Sequence, residues 1–247
     1  MIYHYTSINA LASILKFRKI RFSRLDTVDD PEEYQFVKNG ANPAKYIFVS
    51  CWTRSSEESI PQWRLYGNNG HGVRIGTDET LFKVIKDDDG LLNIYHEKSD
   101  VEKQYTITPL LSNGQLLFDV KYVNNVPSKY EDIFPNEKIV NLERINIKEL
   151  GIYKSEIWAF QRECRFRVAA FPMQRIKGLN YTIRKLKEPL INHIDIEINE
   201  ASLSNLTITM GPDTTEAEQI IIKTLIDKYA IGDTFIEESA FTRFNFH

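Results

Sequence analysis

The residues best suited to chemistry lie near the start of the chain and well into its second half. His4 and Thr6 stand two apart in Met1-Ile2-Tyr3-His4-Tyr5-Thr6, and Gln161 and Glu163 stand two apart just ahead of Cys164-Arg165-Phe166-Arg167-Val168. Side chains two apart in an extended segment share a face. Gln161 and Glu163 would therefore present an amide and a carboxylate to one side, and the first pair a ring nitrogen and a hydroxyl. Beyond Glu163, strand alternation sets Cys164, Phe166 and Val168 against Arg165 and Arg167. Simpler readings compete: His4 as a structural or surface histidine, and Glu163 as a surface carboxylate paired with Arg165 or Arg167.

Arg162, Arg165 and Arg167, with Arg175, Lys177, Arg184, Lys185 and Lys187 beyond, form the one local concentration of positive charge. A solvated face is its default reading. Beside a reactive Glu163 it would be where an anionic acceptor docks. Asp29, Asp30 and Glu33 are close enough to suggest a cation site, but a solvated turn is favoured. Asp87-Asp88-Asp89-Gly90 lacks the remaining ligands of a calcium loop and reads as the end of a helix. The sequence contains no glycine-rich phosphate loop of Walker or Rossmann spacing, no His-Glu-x-x-His and no Cys-x-x-Cys. Cys51 and Cys164 have neither metal-ligand spacing nor the context of a nucleophile.

The elements that must position these residues follow from periodicity. Ile2 to Tyr5 reads as a short strand, Ser7 or Asn9 as the cap of a helix carrying Ile8, Leu11 and Leu15, and Lys19 to Arg24 as a strand of period two. Asp26 to Pro31 is a loop, and Tyr46 to Trp52 a nearly continuous apolar run expected of a buried central strand. Pro61 to Tyr66 reads as one helical turn, Asn68 to Gly72 as a turn into a strand from Val73, and residues 79–86 as helix. Residues 91–113 read as a strand and surface loops, and Leu116 to Val123 as a strand. Asn136 to Phe160 is expected to be mostly helical with a break near Gly151. Strands follow from Cys164, Ile194 and Leu206, then a helix over Thr214 to Tyr229 with Ala217, Ile220, Ile221, Leu225 and Ile226 inward, and a last strand at Phe235-Ile236. The expected architecture is one α+β domain spanning 1–247, with mixed or antiparallel sheets and flanking helices.

Composition sets outer limits. The 247 residues carry 31 Lys+Arg against 34 Asp+Glu, a net charge of −3, which excludes a general polycation that coats nucleic acid by charge. At 42% hydrophobic and 12% aromatic, the chain as a whole is not of disordered type. No run approaches the ~18 apolar residues of a membrane span, and the N-terminus lacks the pattern of a signal peptide. With two cysteines, a reducing cytoplasm is the expected location.

Several of these pieces, in order, resemble the domain-of-unknown-function family 2971. They are His4-Tyr5-Thr6-Ser7, Lys19 to Arg24, Asp29-Asp30-Pro31 with Glu33, and Phe48-Val49-Ser50-Cys51-Trp52. Trp63, Tyr66, Gly70 and Gly72-Val73 follow, then Lys154, Trp158 and Glu163-Cys164-Arg165. The same pieces are similar to the ADP-ribosyltransferase fold, which opens on a strand bearing His or Arg and closes its catalytic set with Gln-x-Glu or Glu-x-Glu at a later strand.

That similarity implies an enzyme using NAD as substrate. As nicotinamide leaves the ribose, positive charge develops on the sugar, and a carboxylate near the ribose hydroxyls stabilises it. On the resemblance, Glu163 takes this role, Gln161 positions the acceptor, and His4 hydrogen-bonds a ribose hydroxyl or the nicotinamide amide, with Tyr5 and Thr6 on the same strand. The tyrosine that histidine-type transferases carry on an intervening strand has three candidates, Tyr34, Tyr46 and Tyr66, with Trp63 as a stacking alternative. Ser50 could instead stand for the serine of arginine-type enzymes, with Arg24 as a phosphate contact. Arg162, Arg165 and Arg167 would meet the acceptor, RNA or DNA slightly ahead of protein. Relatives of this fold are often toxins of toxin–antitoxin or antiphage systems, which implies an antitoxin partner. The rival expectations are a catalytically silent nucleotide- or partner-binding module and an NAD glycohydrolase.

Overall fold

A computed structural model describes residues 1–35, 42–86, 92–94, 104–110, 115–133, 149–172 and 189–243. Strand β1 (Ile2–Thr6) leads into helix α1 (Ile8–Phe17), capped by Ser7, whose hydroxyl accepts from the Ala10 amide at 3.1 Å. Leu11, Ile14 and Leu15 face the core, as their spacing requires. Arg18 closes the helix with φ of 54° and turns the chain into β2 (Lys19–Arg24), where Ile20 and Phe22 point inward. The apolar run becomes β3 (Ile47–Thr53), buried along nearly its whole length. Helix α2 (Ile60–Leu65) and strand β4 (Val73–Thr77) follow.

Residues 79–86, expected to be helical, are extended at their end. They contribute β5 (Val84–Lys86), which pairs with β6 (Leu92–Ile94), while Phe82 bridges Ile198. The Phe82 ring packs on Phe22 at 5.3 Å and Phe166 at 4.7 Å, and this core contact prevails over local helix propensity. Then come β7 (Tyr105–Pro109), β8 (Leu117–Asp119), β9 (Lys121–Val123) and helix α3 (Val126–Ile133). Of the helix expected over 136–160, residues 136–148 lie outside the described set. The remainder holds β10 (Tyr153–Ser155), paired in parallel with β9, and a 3-10 turn over Glu156–Gln161. The long strand β11 (Glu163–Pro172), then β12 (His193–Glu197), α4 (Glu200–Leu203), β13 (Thr207–Met210), α5 (Glu216–Tyr229) and β14 (Phe235–Glu238) complete the order.

Thr215 and Glu218 form a capping box on α5. Its buried face is Ile222 and Ile226, whereas Ile220 and Ile221, expected inward, are exposed. The fold is α+β, built on a ten-stranded and mostly antiparallel sheet running β12-β2-β3-β1-β4-β13-β14, with β11 joined to β3 and carrying β7 and β8. One core cluster holds Ile2, Leu11, Phe22, Phe48, Trp52, Phe166, Ile194 and Ile208; a second, on Leu25, Ile47, Val49, Leu150 and Ala169, covers the other side of β3 and β11. Among the described residues, no helix is long and apolar enough to cross a membrane.

Candidate functional site

β11 occupies one edge of β3 from Glu163↔Thr53 to Ala169↔Ile47. The other edge is shared. β1 pairs with it at Tyr3↔Thr53, and β2 at Ser23↔Val49 and Arg24↔Phe48. Between those contacts β1 and β2 part, and a cleft of about 240 Å³ opens over Ser50, Cys51 and Trp52. That volume lies just under the ~300–1,000 Å³ usual for small-molecule pockets, enough for a ring and a sugar but not an enclosed dinucleotide. Strand alternation puts His4 and Glu163 on opposite sheet faces. Both are among the residues that line the cleft, but this placement runs against the expectation that His4 and Glu163 address one ligand from the same side of the sheet.

His4 Nδ1 lies 2.9 Å from the Cys51 carbonyl oxygen, which only accepts, so Nδ1 carries the proton. Burial lowers the histidine's pKa despite that contact, keeping the ring neutral and leaving Nε2 as an acceptor. The ring sits 5.0 Å from Trp52, whose indole N–H donates to Ser50 Oγ at 2.9 Å.

Glu163 lies at the cleft floor inside a buried ion network. Arg165 donates to both of its carboxylate oxygens and forks onto both oxygens of Glu33, while Lys154 Nζ donates to Glu163 Oε2 at 3.0 Å. The Cys51 thiol adds a further hydrogen bond to Glu163. Burial alone would raise the Glu163 pKa, but the charges of Arg165 and Lys154 override it and hold the carboxyl down at about 2. For Glu33 burial prevails and the pKa rises. Burial and the neighbouring Glu163 charge push the Cys51 thiol well up, so it is no nucleophile. The backbone N–H of Glu163 donates to the Tyr122 hydroxyl at 2.8 Å.

A second chain of hydrogen bonds lines the opposite wall. Gln62 Nε2 donates to the Gln161 carbonyl at 2.8 Å, and Gln161 Nε2 to the Tyr66 hydroxyl at 2.6 Å. The Asp29 carboxylate lies beside the Tyr66 hydroxyl. Burial, with Asp29 beside it, raises the Tyr66 pKa and keeps the phenol protonated.

Of the residues singled out from sequence, His4, Tyr5, Ser50, Tyr66, Gln161, Glu163 and Arg165 line this cleft. Thr6 and Trp63 do not: both are buried, and Trp63 packs edge-on against Tyr5 and donates to Glu58. Arg24 faces away, forked onto Asp26 and bonded to the Pro189 and Ile191 carbonyls, so it is not placed for a phosphate. Of the tyrosine candidates, Tyr66 is at the cleft, whereas Tyr46 stacks on Phe171 and Tyr34 packs against the second core.

The expected acceptor face needs correction. Arg165 and Arg167 are fully enclosed, the first by the ion network and the second by Phe118 and the Leu150 carbonyl. Arg162 is exposed and pairs with Glu57. Arg175, Lys177, Arg184, Lys185 and Lys187 lie outside the described residues, as does the Asp87 to Gly90 run. The solvated turn expected for Asp29, Asp30 and Glu33 holds for the exposed Asp29 and is corrected for the other two. Asp30 is 1% and Glu33 2% exposed, Asp30 accepting from the Glu32 and Ser155 amides and Glu33 neutralised by Arg165.

Asp29, Glu33, Cys51, Gln62, Tyr122 and Lys154 had no site role assigned from sequence. For Asp29, Glu33 and Lys154 the signal was present in the ordered family pieces, which converge on this cleft and its floor. No curated protein and no solved structure matches the chain. A family model described as Protein of unknown function (DUF2971) matches residues 62–166, which take in Trp63, Tyr66, Lys154 and Glu163-Cys164-Arg165. The region similar to the DUF2971 family thus runs from Gln62 in the cleft wall to the middle of β11.

Proposed function

We propose that the cleft binds NAD through its nicotinamide–ribose half and that the protein transfers ADP-ribose to a macromolecular acceptor. One observation carries this: His4, Tyr66, Gln161 and Glu163 line a single cleft although they come from segments far apart in the chain. Tyr66 offers aromatic surface to a planar ring, and His4 Nε2 offers an acceptor to a ribose hydroxyl or amide N–H. The ionised Glu163 on the cleft lining would set negative charge where positive charge develops on the sugar.

With Arg165 and Arg167 enclosed, the preference for RNA or DNA over protein loses the support those side chains would give. A cytoplasmic toxin held by an antitoxin remains the biological setting that the transferase resemblance implies.

A second reading, a silent nucleotide-binding module, is favoured by one feature. The Glu163 carboxylate is fully engaged by Arg165, Lys154 and Cys51. Incubation with adenylate-labelled NAD and pools of RNA, DNA and protein separates the readings. Label in a macromolecule supports transfer, free ADP-ribose supports hydrolysis, and saturable binding without turnover supports the silent module.

A further inference from the structure

We infer that Asp29 is the general base of this cleft, and that the acceptor it serves is a neutral nucleophile that must lose a proton, a hydroxyl or a base or amide N–H, rather than a phosphate oxygen. This rests on the transferase reading above and assigns the step that the reading leaves without a residue.

Two carboxylates line the cleft, and they differ in what they can still accept. A carboxylate offers about four lone-pair sites. On Glu163 these meet the Arg165 Nε and Nη2 donors, Lys154 Nζ and the Cys51 thiol, and its side chain is 5% exposed. Glu163 is left to act through its charge. Asp29 is exposed, lines the cleft and has the Tyr66 hydroxyl beside it. That hydroxyl is held from behind, since Gln161 donates to it at 2.6 Å and Gln62 fixes the Gln161 backbone at 2.8 Å. Tyr66 and Gln161 are therefore positioning residues on the same wall, and Asp29 keeps lone pairs open to the cleft.

The reaction balances without a further reactant. The nucleophile's lone pair forms a bond to the ribose anomeric carbon as the bond to the nicotinamide nitrogen breaks. Its electron pair neutralises the pyridinium, and the nucleophile's proton passes to Asp29 and then to solvent. An anionic acceptor would need no base and would be repelled by a carboxylate at the mouth. A neutral acceptor needs the base and meets no such penalty.

Nicotinamide release from NAD in the presence of total cell RNA, DNA and protein is measured for the wild type, Asp29→Asn and Asp29→Glu, each with and without azide. Asp29→Asn keeps an oxygen for Tyr66 at an exposed position, and an unchanged thermal midpoint checks that it folds. The expected result is a fall in kcat of ~100-fold or more with KM little changed and partial recovery in Asp29→Glu. Azide, a nucleophile with no proton to lose, should restore release in Asp29→Asn as ADP-ribosyl azide forms. Wild-type kcat in Asp29→Asn, or failure of azide to restore release, overturns the assignment while leaving the transferase reading in place. Absence of NAD turnover by the wild type overturns both.

Discussion

The imidazole of His4 donates from Nδ1 to the Cys51 carbonyl at 2.9 Å, which fixes the tautomer and leaves Nε2 as the nitrogen available to a ligand. The bond also ties β1 to β3 just where the two strands begin to part, so one side chain serves both the fold and the cleft.

The burial of His4 has a pH signature. Its folded pKa lies below the ordinary 6.5, so the unfolded chain binds a proton that the folded state refuses. Its contribution to stability is complete above pH 6.5 and is lost as pH falls below that value. Urea midpoints measured from pH 7.5 to 5.5 should decline below about pH 6.5 in the wild type, and this limb should be smaller in His4→Gln.

Glu163 has the opposite sense from Glu33. With its carboxyl held at about 2 against an ordinary 4.5, Glu163 adds stability above pH 4.5 that is lost as pH falls toward 2. The difference corresponds to about 3 kcal/mol at neutral pH. Glu33 has a raised pKa, so the fold disfavours its charge. At pH 7, Glu163→Gln should therefore destabilise more than Glu33→Gln, a ranking that chemical denaturation reads directly.

Removing the shared cation is more damaging. Arg165→Met would leave two buried carboxylates facing Lys154 alone. A loss of about 3–5 kcal/mol is expected, and a double change with Glu33→Gln should recover part of it. A strictly additive pair would show that the four groups do not act together.

Gly72 sets how closely β1 approaches the turn before β4. A Cβ there would lie 2.2 Å from the Thr6 carbonyl oxygen and 2.7 Å from that of Gly67, both backbone atoms that cannot swing aside. Gly72→Ala should cost about 1–3 kcal/mol and, because Thr6 is two residues from His4 on β1, should also raise the KM for NAD. A change in stability with no change in KM would separate this turn from the cleft.

Much of the scaffold was legible because its periodicities are strong. Ser7, the alternation in Lys19 to Arg24, the apolar run at 47–53 and the Thr215 capping box each specify an element locally. Residues 79–86 misled because Phe82 adopts its conformation for distant partners, Phe22 and Phe166. On α5 the core selects Ile222 from three consecutive isoleucines, a choice that helical spacing alone leaves open. The site was legible as residues but not as electrostatics. Alternation placed Arg165 and Arg167 on one side of β11, yet a second core covers that side and turns a presumed docking face into an ion network. In sequence Asp29 reads only as part of a cation site or a solvated turn, because its place beside Tyr66 in the cleft is set by the fold and not by spacing.

The central claim, that this cleft holds NAD at its scissile bond, is tested most directly by quantifying free nicotinamide. The purified protein is incubated with NAD and total cell RNA, DNA and protein. Release that is saturable in NAD and falls sharply when His4 is replaced by Ala is the predicted result. No release above the background of NAD alone, or equal release from the His4→Ala protein, would contradict it.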